Sequence, residues 1–369
     1  TATLFYSTVG GGVQNRAIGN YATVGGGSGN TANQQYATVG GGRNNTASAD
    51  SATVGGGTDN TASSEGATVG GGEANIASGL DATVSGGQNN TASSEGATVG
   101  GGEANTASGQ DATVSGGQNN IANGNNATVG GGVDNTASDF FATVGGGNDN
   151  IASDFFATVG GGADNTANAN SATVGGGRDN SANGEYATVA GGTNLNAPSY
   201  GEVALGYWNT SGPSNSVNSK DPADRLLVVG NGVPGTPEDA LRLMKSGNMA
   251  IGNLNPTARL HVDGDFRLQT GTAVGNIVDS LTLDGFTTAD NIADTMLLTG
   301  SAIKTLISDS LNVASPWDQT NSPDIGYAGG RVGIGTISPA NSTLTEIDNV
   351  GTSYPRALVI TNAYSGATY

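Results

Sequence analysis

Four aspartates, Asp134, Asp149, Asp164 and Asp179, recur at a spacing of 15 residues. Carboxylates in fixed register are the first candidates for chemistry, because hard cations such as calcium take oxygen ligands. If each interval is one coil of a stacked structure, the four side chains stand about 5 Å apart, repel one another and could recruit cations. The calcium-binding glycine-rich nonapeptide has a different period and a fixed Asp register, which this chain does not match. Solvated Asx turns are therefore the expectation, with metal binding at these four aspartates the weaker alternative. A second set is aromatic: Phe140, Phe141, Phe155 and Phe156 occupy positions where other repeats carry Ser, Gly, Asp or Asn. Aromatics at otherwise polar positions could contact a carbohydrate or a protein receptor. The preferred expectation is that they pack against the next subunit or cover the roll edge.

Catalytic chemistry has little to work with. The chain holds one histidine and no cysteine, so no His pair is available for zinc. His261 alternates with apolar neighbours in Leu260-His261-Val262, a strand-like setting that suggests a structural or surface role. Glycine runs such as Gly25-Gly26-Gly27 lack the Lys-Ser/Thr of a phosphate loop and recur too regularly to be one; they read as turns. No enzymatic activity and no cofactor are expected.

The elements that would position these residues follow from one repeated sentence, approximately Tyr/Phe-Ala-Thr-Val-Gly-Gly-Gly-x-x-Asn-Thr-Ala-Ser/Asn-x-x, which runs without insertion from Thr8 to Thr188 and continues at Val203. A period this strict places equivalent residues on equivalent sites of a solenoid. Ala-Thr-Val reads as a short strand closed by glycine. Its alternation puts Val39 and Val54 on the inner face and Thr38 and Thr53 on the outer one. A strand uncharged on both faces is expected to be covered on both, by the roll's interior and by a neighbouring chain or layer. Asn30, Asn45, Asn60 and their successors predict a stacked column at a corner, in left-handed backbone angles. The next position accepts Thr31, Ile76, Ile121 and Ile151 and is expected to be half-buried. Two strands and two turns per repeat describe a flattened parallel β-roll, and thirteen intervals at about 4.8 Å give it a length on the order of 60 Å. Residues 63–92 and 93–122 are nearly the same text, which suits a duplicated spacer better than a tailored binding site.

Burying one Val and two Ala is far too little to order fifteen residues. A rung cannot fold alone, and several chains around a common axis would bury the second small-residue face. A parallel homotrimer is the expectation. A formal charge of −19 with only 12 Lys and Arg argues against a nucleic-acid partner. With no run of about 18 apolar residues, no helical membrane insertion is expected. An acidic chain without cysteine suits an extracellular or particle-borne setting, and its start at Thr1 without a signal segment reads as a mature or trimmed product. The composition changes near Asn194. The expected division is a 15-residue-repeat roll over 1–206, a β module over 207–270, a connector over 271–315 and a second β module over 316–369.

The variant rung Glu202-Val203-Ala204-Leu205-Gly206, with the Asn-Thr-Ala-Ser and Gly-Gly-Gly turns, resembles the left-handed β-roll of trimeric autotransporter adhesin heads over residues 1–206, with a period one residue longer than is typical there. Asp224 to Gly232, Ala240 to Gly252 and Pro256 to Gly264 resemble shaft modules of phage tail fibres and bacterial surface fibres, which often precede an endosialidase-type intramolecular chaperone. A second copy follows, where Gly330-Arg331-Val332-Gly333-Ile334-Gly335-Thr336-Ile337-Ser338-Pro339 matches Gly247 to Pro256. Between the copies Ile292, Met296, Ile303 and Leu306 keep helical spacing, for either a short trimeric coiled coil or a single amphipathic helix on a β domain. The resemblances imply an all-β, elongated attachment fibre of a phage or contractile injection particle. Its implied partners are other copies of the chain, a cell-surface glycan or protein receptor, and a baseplate or anchoring protein. A bacterial surface adhesin and a structural filament or surface-layer subunit are the alternatives.

Overall fold

A β-branched Thr-Val pair between alanine and glycine extends for two residues and then turns. In the computed structural model these pairs form strands from Thr8–Val9 through Thr173–Val174. They stack in parallel, Thr on Thr and Val on Val, at a register of one repeat. A second, 13-stranded sheet holds the other half of each repeat, from Arg16–Ala17 to Asn196–Ala197. A third ladder was not foreseen: single parallel bridges link Val13 to Ser28, Ser28 to Arg43 and so on to Thr193. Each repeat is one coil of a parallel β-solenoid. The structure describes residues 1–212, 214–252 and 255–263, with strands Trp317–Asn321, Asp324–Tyr327, Gly333–Ile334 and Glu346–Ile347. All secondary structure among these residues is β. Ile292, Met296, Ile303 and Leu306, the proposed helix, lie outside the described residues.

The core is as thin as the composition predicts. Each coil contributes two alanines and a valine, for example Ala37, Val39 and Ala47, all without exposed surface, while Thr38 and Thr53 are half-buried on the outer face. The alternation read from sequence therefore holds. At the position after Asn, Thr31 is half-buried as expected, but Ile76, Ile121 and Ile151 are exposed at 41%, 38% and 40%.

The Asn column departs from expectation in an informative way. Asn30, Asn45 and Asn60 are fully buried, with side chains turned into the coil. The Asn60 amide donates to the carbonyls of Gly56 (3.0 Å) and Gly72 (2.8 Å), and its Oδ1 accepts the Asn75 backbone N–H at 3.0 Å. One side chain thus satisfies main-chain groups of its own coil and of the next, where buried polar groups must be paired. The left-handed angles fall instead on the preceding residue, Asp59 (φ 58°) before Asn60 and Asn44 (φ 55°) before Asn45.

The chain divides into two compact units, Thr1–Gln269 and Thr270–Tyr369. In the first, strand Val203–Tyr207 pairs in parallel with both Thr188–Thr193 and Arg225–Asn231, so the roll's sheet continues into the following β module. There Arg225–Asn231 runs antiparallel to Asp239–Met244, which is antiparallel to Met249–Ile251, which is parallel to Leu260–Val262. The second unit repeats that pairing order: Trp317–Asn321 antiparallel to Asp324–Tyr327, antiparallel to Gly333–Ile334, parallel to Glu346–Ile347. Strands Met249–Ile251 and Gly333–Ile334 occupy the same place in the two orders, and both lie within the duplicated sequence.

Candidate functional site

Phe140 and Phe141 are the central residues of a four-residue turn closed by the Ala142 N–H on the Asp139 carbonyl at 3.0 Å. The Asp139 carboxylate accepts the Phe140 N–H at 2.7 Å, and Asp154 does the same for Phe155. Phe141 and Phe156 take φ near +58° and +56°, a conformation that costs a residue with a Cβ about 1–2 kcal/mol. Stacking brings the four rings together. Phe141 lies over Phe156 with centroids 5.0 Å apart and planes at 14°, while Phe155 meets Phe156 edge-on at 4.3 Å. Aromatic pairs of this kind contribute about 0.5–1.5 kcal/mol beyond area burial, the same order as the backbone strain. The rings still expose between 37% and 47% of their surface. Because Phe141 and Phe156 cover each other's faces, this cluster offers a partner ring edges and the outer faces of the stack.

The same edge carries a second aromatic ladder that sequence reading missed. Tyr6, Tyr21 and Tyr36 stand in the Phe141 column and stack at 5.0 and 5.1 Å. Their signal was present in the first position of the repeat, but these tyrosines read as consensus rather than as a patch. Tyrosine adds a phenolic hydroxyl, so this ladder combines an apolar edge with hydrogen-bonding groups.

Asp134, Asp149, Asp164 and Asp179 do form one column, exposed on the opposite turn. Each sits in the left-handed position, at φ between 54° and 57°, where Asp is among the few side chains tolerated. Their partners are local: Asp149 accepts from the Asn148 amide, and Asp179 lies 3.4 Å from Arg178. Among the described residues no group of three or more His, Cys, Asp or Glu is placed to hold a metal ion. Each of the four carboxylates is exposed at its turn.

A third cluster lies where the roll ends. Glu202 takes the place of the inward alanine of earlier coils and is fully buried with Arg225. Arg225 Nε lies 2.7 Å from Glu202 Oε1, in contact but off the hydrogen-bond direction, since neither atom completes a bond. Arg225 Nη1 donates to the Thr210 carbonyl at 2.8 Å and lies 3.6 Å from Asp239, which is paired in turn with Arg242. Lys245 Nζ lies 3.7 Å from Asp224 and 3.1 Å from Ser199 Oγ. Burial pushes the Glu202 carboxyl above the ordinary glutamate value, against the opposing pull of Arg225 and the Ser199 hydrogen bonds. Burial also holds the Lys245 ammonium below the ordinary lysine value, against Asp224 and Glu202. Sequence reading placed Glu202 and Asp224 in segments that resemble fibre proteins but gave none of these ionic residues a role, because their pairing joins the roll to strands outside the repeat.

His261 sits in strand Leu260–Val262, paired in register with Ala250. Its Nδ1 is buried without a hydrogen-bond partner among the described residues. Compared with known proteins, the chain matches no protein-family model and no curated protein.

Proposed function

We propose that this chain is a non-enzymatic structural and attachment fibre: the β-solenoid serves as a stiff spacer, and exposed aromatic edges or the β modules beyond it meet a cell-surface glycan or protein. The observation that carries this reading is the unbroken register of the solenoid. From Asn30 to Asn180 every coil repeats the same buried Asn, the same paired strands and the same Ala-Val interior. Such a body supplies length and rigidity without an internal site. Tail fibre of a phage or contractile injection particle is the form favoured by the resemblance of the duplicated modules to fibre shafts, and the same pairing order in both copies agrees with that duplication.

The charge distribution supports association with other copies of the chain, which in this reading form a parallel homotrimer. Apart from Arg16 and the buried Glu202, the charges of residues 1–206 lie outside the strands of the two sheets, on the turns and on the third ladder at Arg43, Glu73, Glu103 and Arg178, and the outward strand positions are Thr, Ile, Ser, Asn or Val. In a chain of −19, two uncharged faces suit burial against other copies, which excludes unpaired charge from the interface core. Cell binding by the purified fibre, compared with a Phe140→Ser, Phe141→Ser, Phe155→Ser, Phe156→Ser variant, tests attachment. Loss of binding with assembly intact is expected; undiminished binding by this variant and by a Tyr6→Ser, Tyr21→Ser, Tyr36→Ser variant removes the aromatic edge from recognition.

A further inference from the structure

We propose that Lys245 and Asp224 join through an intramolecular isopeptide bond that the folded chain forms by itself. Strands Arg225–Asn231 and Asp239–Met244 pair Arg225 with Met244, so Asp224 and Lys245 face each other one step beyond. The Lys245 backbone N–H fixes that step by donating to the Asp224 carbonyl at 2.9 Å. Their side chains meet at 3.7 Å, with 3% and 0% of their surface exposed. Water is thus kept from a reaction that releases water.

The surroundings supply what amide formation needs. The two Asp224 carboxylate oxygens accept the backbone N–H groups of Asn215 (2.8 Å) and Ser216 (3.1 Å), donors that would also hold an oxyanion. Lys245 Nζ donates to Ser199 Oγ at 3.1 Å, and that hydroxyl donates to Glu202 Oε2 at 2.8 Å. A proton leaves the ammonium through Ser199 for the Glu202 carboxylate. The freed lone pair of Nζ attacks Cγ of Asp224, the C–N bond forms, and the carbonyl electron pair moves onto oxygen, each carboxylate oxygen having one backbone N–H donor beside it. Collapse expels the second carboxylate oxygen as water, which takes one proton from nitrogen and one returned from Glu202 through Ser199. An ammonium and a carboxylate become one amide and one water, with no other reactant.

Desolvation makes the first transfer easier than in water. Burial lowers the lysine and raises the glutamate, while Asp224, Glu202 and Asp221 act on Lys245, and Arg225, Ser199 and Lys245 on Glu202, in the opposite sense. The product ties the start of one strand to the end of the next, closing the hairpin against peeling. In the duplicated sequence Ala328 stands where Lys245 does, so the linkage belongs to the first copy alone. This inference is independent of the attachment reading.

Intact-mass spectrometry of the denatured full chain tests it. The expected mass is one water below that of the sequence, with a branched Asp224–Lys245 peptide in the digest and the sequence mass restored in Lys245→Arg and Asp224→Ala. Ser199→Ala, which keeps both reacting groups, should slow linkage roughly 100-fold; conversion at the wild-type rate overturns the relay. A wild-type chain with native circular dichroism and the full sequence mass overturns the proposal.

Discussion

A Cβ added to Gly57 would lie 2.1 Å from the Gly72 carbonyl oxygen, and the residue holds φ near +90°, whereas a Cβ at Gly56 meets nothing within 4 Å. Three glycines that look alike in the repeat are therefore unequal. Gly57→Ala should cost about 1–3 kcal/mol in backbone strain alone, and Gly56→Ala much less; chemical denaturation of the two variants checks the contrast. The aspartate column leads to a second expectation. Because Asp134, Asp149, Asp164 and Asp179 are exposed, one to a turn, and no group among the described residues is placed to hold a metal ion, the melting temperature should not change when a chelator is added, and a fall would restore the metal reading. Which side chains face inward was legible from the alternation of Ala, Thr and Val. The role of Asn was only half legible: stacking and main-chain bonding could be read, but the left-handed site could not. Pairs such as Asn44-Asn45 and Asn89-Asn90 put the same residue type on two adjacent positions with opposite duties, one exposed at positive φ and one buried in the ladder.

At the scale of elements, the two-residue strands were readable because one coil differs so little from the next. The end of the roll was not, because it depends on residues that are unique. Glu202 occurs where the coils from Ala22 to Ala187 have alanine, and its partner Arg225 arrives from a strand that no repeat predicts. Burial raises the folded-state pKa of Glu202 above its ordinary value of 4.5, so the folded state binds this proton more tightly than the unfolded one. The resulting stability is fully present below the ordinary value and is lost as pH rises through the raised one. Glu202→Gln should therefore flatten the fall in melting temperature on going from mild acid toward neutrality, and an unchanged slope would show that another group sets it. The roll's interior, made of Ala, Val and Asn, contributes no titrating group of its own between Ala17 and Ala197.

For the molecule as a whole, the period fixes the solenoid and the charge pattern bears on its assembly. The two sheet faces lack charge beyond Arg16, and single coils bury too little apolar surface to stand alone. Stacking supplies part of the stability; association supplies the rest in this account. A face about 60 Å long and on the order of 15 Å wide would remove about 900 Å² per copy, near the size of a standard specific interface. Mass photometry of the purified full chain in native buffer tests this most directly. A single species of three chains, each of 36.0 kDa, is expected at all accessible concentrations. A stably folded monomer would contradict it.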